Sequence, residues 1–136
     1  MDRLSQERRS WLMARVRSTD TSPELLVRKL VWGLGYRYRL HVSKLPGRPD
    51  IVVSRWRKII EVRGCFWHRH GCKLSTMPKT RVRFWHEKFL RNVERDKKNL
   101  RSLRRDGWSV LVVWQCSLKD IEKAKNRIHE FLESKI

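Results

Sequence analysis

Apolar positions recur along this chain first at helical spacing, then in short extended runs, then at helical spacing again. Residues 4–17 set Leu4, Trp11, Leu12 and Val16 among Arg and Gln, which reads as a basic amphipathic helix with Met13 on its surface. A helix start follows. Thr21 or Ser22 serves as N-cap, Pro23 suits the first turn, and Glu24 suits the positive end of the dipole. Leu25, Leu26, Leu30 and Leu34 then form a stripe that ends at Gly33 or Gly35.

Tyr36 to Val42 alternates and predicts a strand, and Leu45-Pro46-Gly47-Arg48-Pro49 predicts a turn. Asp50 to Ser54 is a short apolar strand, Arg55-Trp56-Arg57 turns the chain, and Lys58 to Val62 returns as its hairpin partner. Residues 63–79 show no periodicity. From Thr80 to Arg105 a long helix is expected, with Phe84, Phe89, Val93, Leu100 and Leu103 inside and Asp106-Gly107 as the stop. Trp108 to Trp114 reads as a strand of buried type, and residues 118–134 as an amphipathic helix with Ile121, Ile128, Phe131 and Leu132 inward. Trp32, Trp108 and Trp114 are expected in the core. The order predicts one α/β domain over residues 1–136, with residues 1–18 as a basic N-terminal arm.

Charge changes the picture. Lys and Arg number 33 against 14 acids, a formal net charge of +19, and they are spread along all 136 residues. The folded surface itself must therefore be positive, which attracts phosphate backbones and makes binding salt-dependent. Charge alone does not separate DNA from RNA. Forty per cent apolar content with seven Trp excludes a disordered chain. The N-terminus has no apolar signal core and no run reaches membrane-spanning length, so the expected location is cytoplasmic and nucleoid-associated. In a reducing compartment, three cysteines point to metal ligation before disulfides.

Cys65, His70 and Cys72 fall within one loop at zinc-site spacing. Cys116, just past the last strand, is the remaining cysteine and the expected fourth ligand. A parallel neighbour of strand 58–62 would bring it level with the loop. Thiolate and imidazole favour Zn²⁺, and four protein ligands make the site structural.

A second pattern overlaps the first. Asp50, and Glu61-Val62-Arg63 on its hairpin partner, follow the arrangement of a Mg²⁺-dependent nuclease, in which hard Mg²⁺ takes carboxylates and carbonyl oxygens. Asp50, Glu61 and the Val62 carbonyl are candidate ligands, Arg63 a candidate phosphate contact, and Glu24 a further carboxylate. A lone Asp or Glu is more commonly a solvated loop residue, so this pattern is weak by itself. His68 suits a general acid or base; spacing leaves open whether His68 or His70 holds the zinc. Phe66, Trp67 and Trp85 are either wedges between base pairs or core residues.

With these residues in hand, the chain resembles the very-short-patch-repair (Vsr) DNA mismatch endonucleases from about Ser10 to Ser117. The matching pieces are Leu45-Pro46-Gly47-Arg48-Pro49-Asp50, Gly64-Cys65-Phe66-Trp67-His68, Cys72, Phe84-Trp85, Asn92-Val93-Glu94-Arg95-Asp96, Gly107-Trp108 and Val113-Trp114-Gln115-Cys116. The resemblance implies a restriction-endonuclease-like α/β fold, with a central mixed sheet flanked by helices and a structural zinc. It implies a Mg²⁺-dependent nick 5′ to the T of a T·G mismatch in double-stranded DNA, as left by deamination of 5-methylcytosine, by a monomer. By position, Asp50 and the Val62 carbonyl would hold Mg²⁺, His68 would be catalytic, and Glu24 would support the site. Cys65, His70, Cys72 and Cys116 would bind zinc. Met13, Phe66, Trp67 and Trp85 would form the wedge, while Lys88 and Asn92 would help recognise the mismatch. The chain departs from the family pattern at Glu61 and Arg63, which look more like an Asp…Glu-x-Lys nuclease. Two rival readings are a restriction-like or mobile-element nuclease of the same fold acting at another site, and a zinc-stabilised DNA-binding protein without catalysis.

Overall fold

The computed structural model describes residues 21–65 and 79–134. Met13, Phe66, Trp67, His68, His70 and Cys72 lie outside the described residues.

Helix α1 (Ser22–Gly33) begins as its sequence predicts: the Thr21 hydroxyl accepts from the Glu24 amide at 3.5 Å, and Pro23 occupies the first turn. The buried face differs from the leucine stripe. Glu24, Val27 and Val31 point inward at helical spacing, Leu26, Leu30 and Leu34 flank them half-buried, and Leu25 lies exposed. Trp32 is 54% exposed, not core, and carries the Arg37 guanidinium 3.5 Å from its ring centroid.

Four strands form one mixed sheet in the order β1-β2-β3-β4. Strands β1 (Arg39–Leu40), β2 (Ile51–Val53) and β3 (Lys58–Arg63) are antiparallel neighbours, and β4 (Ser109–Trp114) runs parallel to β3. The first strand is far shorter than Tyr36–Val42. Its two residues are exposed, and His41 leaves the extended region at φ 47°, which ends the pairing. The β2–β3 hairpin turns through a 3₁₀ segment, Ser54–Trp56, closed by Arg57 in the left-handed region. A parallel β3–β4 pair needs a long crossover, and helix α2 (Val82–Arg105) lies in it.

Both faces of the sheet are covered, so β2 reads as a continuous apolar run and β3 is buried from Lys58 to Val62, its charged Lys58 and Glu61 included. On one face Val27 and Val31 of α1 and Ala124, Ile128 and Leu132 of helix α3 (Ile121–Glu133) pack on Ile51, Val53, Ile60, Val62 and Val113. On the other, Leu103 of α2 packs on Val52 and Ile59, with Trp108 and Val110 beside them. Helix α2 buries Trp85 and Phe89 as well; the expected Phe84 is instead 39% exposed. Buried Lys58 closes the C-terminal end of α3, its ammonium donating to the carbonyls of Phe131, Leu132 and Ser134 at 2.7, 2.8 and 2.6 Å. Among the described residues, no helix is long and apolar enough to cross a membrane.

Candidate functional site

The antiparallel register places Asp50, just before β2, at one end of the sheet beside β3. Ile51 pairs with Ile60, so the chain before Ile51 runs alongside Glu61 and Val62. There the strand ladder gives way to a side chain: the Val62 amide donates to Asp50 Oδ2 at 2.8 Å. In an extended strand the N–H and C=O of one residue leave by the same edge, so the Val62 carbonyl also leaves on the Asp50 side. Burial pushes the Asp50 carboxyl up to about 6, against the opposing pull of the Val62 amide; Glu24 and Glu61 add to the rise and His41 lowers it.

Two further side chains converge on Asp50. Helix α1 contributes Glu24 from its first turn, 4% exposed. The chain after β1 contributes His41, whose amide donates to the Asp50 carbonyl at 3.3 Å. His41 Nδ1 lies 3.8 Å from Asp50 Oδ1, and its Nε2 lies 3.8 Å from Glu24 Oε2. One ligating atom from each of Glu24, His41 and Asp50 fits within 4.8 Å of the others, a spacing that suits a single bound cation. Arg28, one turn along α1, places Nη2 3.4 Å from Glu24 Oε2 and 3.0 Å from His41 Nε2.

Asp50 and Glu24, both expected here from sequence, thus come together, whereas His41 and Arg28 were missed. A signal for His41 existed: antiparallel pairing across the Pro-Gly turn sets it opposite Asp50. Glu61 stands near but outside the group of three, its Oε2 held by Arg63 Nη2 at 2.8 Å. Arg63 also lies over the Trp114 ring, 5.8 Å from the centroid.

The two described cysteines both follow the ends of the paired strands β3 and β4. Arg63 and Trp114 are the last register pair of β3 and β4, and Cys65 and Cys116 each follow two residues later. Cys65 is fully buried and Cys116, in the 3₁₀ turn Gln115–Lys119, is half-buried. Trp85 is 7% exposed, stacked on Phe89 with centroids 5.7 Å apart and edge-on to Phe84 at 5.4 Å. Lys88 Nζ lies 5.4 Å from the Trp85 ring centroid, and Asn92 Oδ1 accepts from Arg95 at 2.7 Å.

Residues 1–74 match the family described as DNA mismatch endonuclease Vsr. The chain is 47% identical over 132 residues to the type II nicking enzyme V.XorIIP of Xanthomonas oryzae pv. oryzae, covering 97% of each. It is 38% identical over 131 residues to the type II nicking enzyme V.NmeAIP of Neisseria meningitidis, covering 96% of this chain and 94% of the relative. It is 44% identical over 115 residues to the DNA mismatch endonuclease Vsr of Escherichia coli, covering 85% of this chain and 74% of the relative.

Proposed function

The chain belongs to the family of the Vsr DNA mismatch endonucleases, and from that premise we propose that it nicks one DNA strand 5′ to the T of a T·G mismatch left by deamination of 5-methylcytosine. The observation that carries this reading is the convergence of Glu24, His41 and Asp50 at one end of the sheet, with Asp50 anchored on the Val62 amide. It occurs in a chain with net charge +19, whose surface attracts a phosphate backbone.

Asp50 and the Val62 carbonyl would hold the catalytic cation, Mg²⁺ by family resemblance, with Glu24 in support. Two carboxylates and a carbonyl edge fit such an ion. Bound there, it would supply an activated water and neutralise charge on the phosphorane. Arg63, which pairs with Glu61, would contact the substrate phosphate. His68 transfers a proton at a reacting oxygen. Cys65, His70, Cys72 and Cys116 would hold a structural zinc; that Cys65 and Cys116 each follow the last register pair of two adjacent parallel strands by two residues supports this. Met13, Phe66, Trp67 and Trp85 would form the wedge beside the mismatch, and Lys88 and Asn92 would read the mispaired bases. The protein acts as a monomer in the cytoplasm, at the nucleoid.

The test uses end-labelled duplexes that differ only in one T·G versus T·A pair, each with Mg²⁺. A nick confined to the strand carrying the mispaired T is the expected result. Cleavage of both duplexes would move the chain to a nuclease of the same fold acting at a paired site, a reading that the Asp50…Glu61-x-Arg63 pattern favours.

A further inference from the structure

His41 completes the group of three with Glu24 and Asp50, and its position is tightly specified. It is a non-glycine residue at φ 47°, a region that β-carbon-bearing residues rarely enter. Its amide is tied to the Asp50 carbonyl, and its own carbonyl accepts from Arg48 Nε at 3.4 Å. This backbone holds the imidazole between Asp50 and Glu24, with each ring nitrogen 3.8 Å from a different carboxylate.

The tautomer follows from the neighbour. A guanidinium has donors and no acceptor, so the 3.0 Å contact between Arg28 Nη2 and His41 Nε2 is a hydrogen bond only if Nε2 carries a lone pair. The same Nη2 lies 3.4 Å from Glu24 Oε2. One nitrogen and one oxygen lone pair are therefore already aimed at a shared positive group. That is the donor arrangement a divalent cation uses, with the guanidinium in its place.

We propose that His41 is a nitrogen ligand of the catalytic metal, that Arg28 stands in for the ion until it binds, and that the centre accordingly takes Mn²⁺ or Co²⁺ more tightly than Mg²⁺. The proposal rests on the reading of Asp50 as the centre of the metal site and deepens it. Two carboxylates with one imidazole form a mixed oxygen and nitrogen set. Such a set favours later first-row ions over Mg²⁺, which prefers oxygen alone. Arg28 then acts as a competitor. An ion at Nε2 and Oε2 must displace Nη2 and accept a positive neighbour, so removing that charge strengthens metal binding while removing the imidazole weakens it.

The experiment is Mn²⁺ titration of the zinc-loaded protein, followed by electron paramagnetic resonance, with pulsed detection of nitrogen coupled to the bound Mn²⁺. His41→Asn is the main variant, because Asn tolerates the left-handed backbone; circular dichroism checks that it folds. Expected are a histidine-nitrogen modulation in the parent protein, its loss in His41→Asn with Mn²⁺ affinity down by about 10-fold or more, and its retention in His68→Ala. Arg28→Met is expected to bind Mn²⁺ more tightly, in the opposite direction to His41→Asn. Loss of a merely structural residue would not move the two variants in opposite senses. Mn²⁺ binding that depends on Asp50 but shows no nitrogen modulation, or that is unchanged in His41→Asn, overturns the inference and leaves the Asp50 site standing. Mn²⁺ binding that is the same in Asp50→Ala as in the parent overturns both.

Discussion

The Val62 amide donates a 2.8 Å hydrogen bond to Asp50 Oδ2, replacing a strand-to-strand contact with a strand-to-carboxylate one. This bond aims the carboxylate at the point where Glu24 and His41 converge, and it ties the central acid to the central strand of the sheet.

Asp50→Asn keeps an acceptor for the Val62 amide but removes the charge that a metal needs. Nicking is expected to fall on the order of 10³-fold, with DNA affinity near that of the parent. Cleavage and band-shift assays on one duplex check both at once. An active Asp50→Asn protein would contradict the assignment.

The same carboxylate makes the metal-free protein sensitive to pH. Asp50 titrates at about 6 in the fold, above the unfolded value near 3.9, so the folded state takes up this proton first. Metal-free stability is therefore expected to rise as pH falls from 7 through 6 toward 4. Relative to Asp50→Asn, the parent gains about 2 kcal/mol over that window. Urea unfolding of both proteins at pH 7 and pH 4 measures the difference. A gap that does not change with pH would mean that Asp50 is better solvated than its burial implies.

Cys116→Ala is expected to bind less zinc and to lose several kcal/mol of stability, because the ligation of a structural metal is folding free energy. Zinc content by mass spectrometry under native conditions, with a thermal melt, reads both. Full zinc occupancy in this variant would remove Cys116 from the ligand set.

Trp85 and Trp67 are expected to separate. Trp85 is buried against Phe89, so Trp85→Ala should cost about 3 kcal/mol of stability before any effect on DNA is seen. Trp67→Ala should leave the melting temperature near that of the parent and reduce the preference for T·G over T·A duplexes. Equal losses on both duplexes would make Trp67 a packing residue.

Lys58→Met should destabilise the protein by about 2–4 kcal/mol, since it leaves the C-terminal carbonyls of α3 without the ammonium that they accept from. Chemical unfolding measures this directly, and an unchanged midpoint would show that water replaces the ammonium at no cost.

Local pattern carried most of the architecture: the cap at Thr21, the β2–β3 hairpin, the long α2 and the strand β4 all follow from spacing, turn residues and apolar runs, although β4 lies at the sheet edge with only Val113 fully buried. It also carried the positions of Asp50 at the start of the hairpin, of Glu24 in the first turn of α1, and of Cys65 and Cys116 just past the paired strands β3 and β4. Long-range packing settled the rest. Phe84 and Trp85 are neighbours, and the one that turned inward depended on the phase of a helix held to the sheet by Leu103 on Val52 and Ile59, some eighteen residues away. Trp32 stayed outside because Val27 and Val31 already covered the sheet. Arg28 met His41 across thirteen positions because α1 packs on the face of the sheet, and no local periodicity encodes a contact between two polar side chains on separate elements.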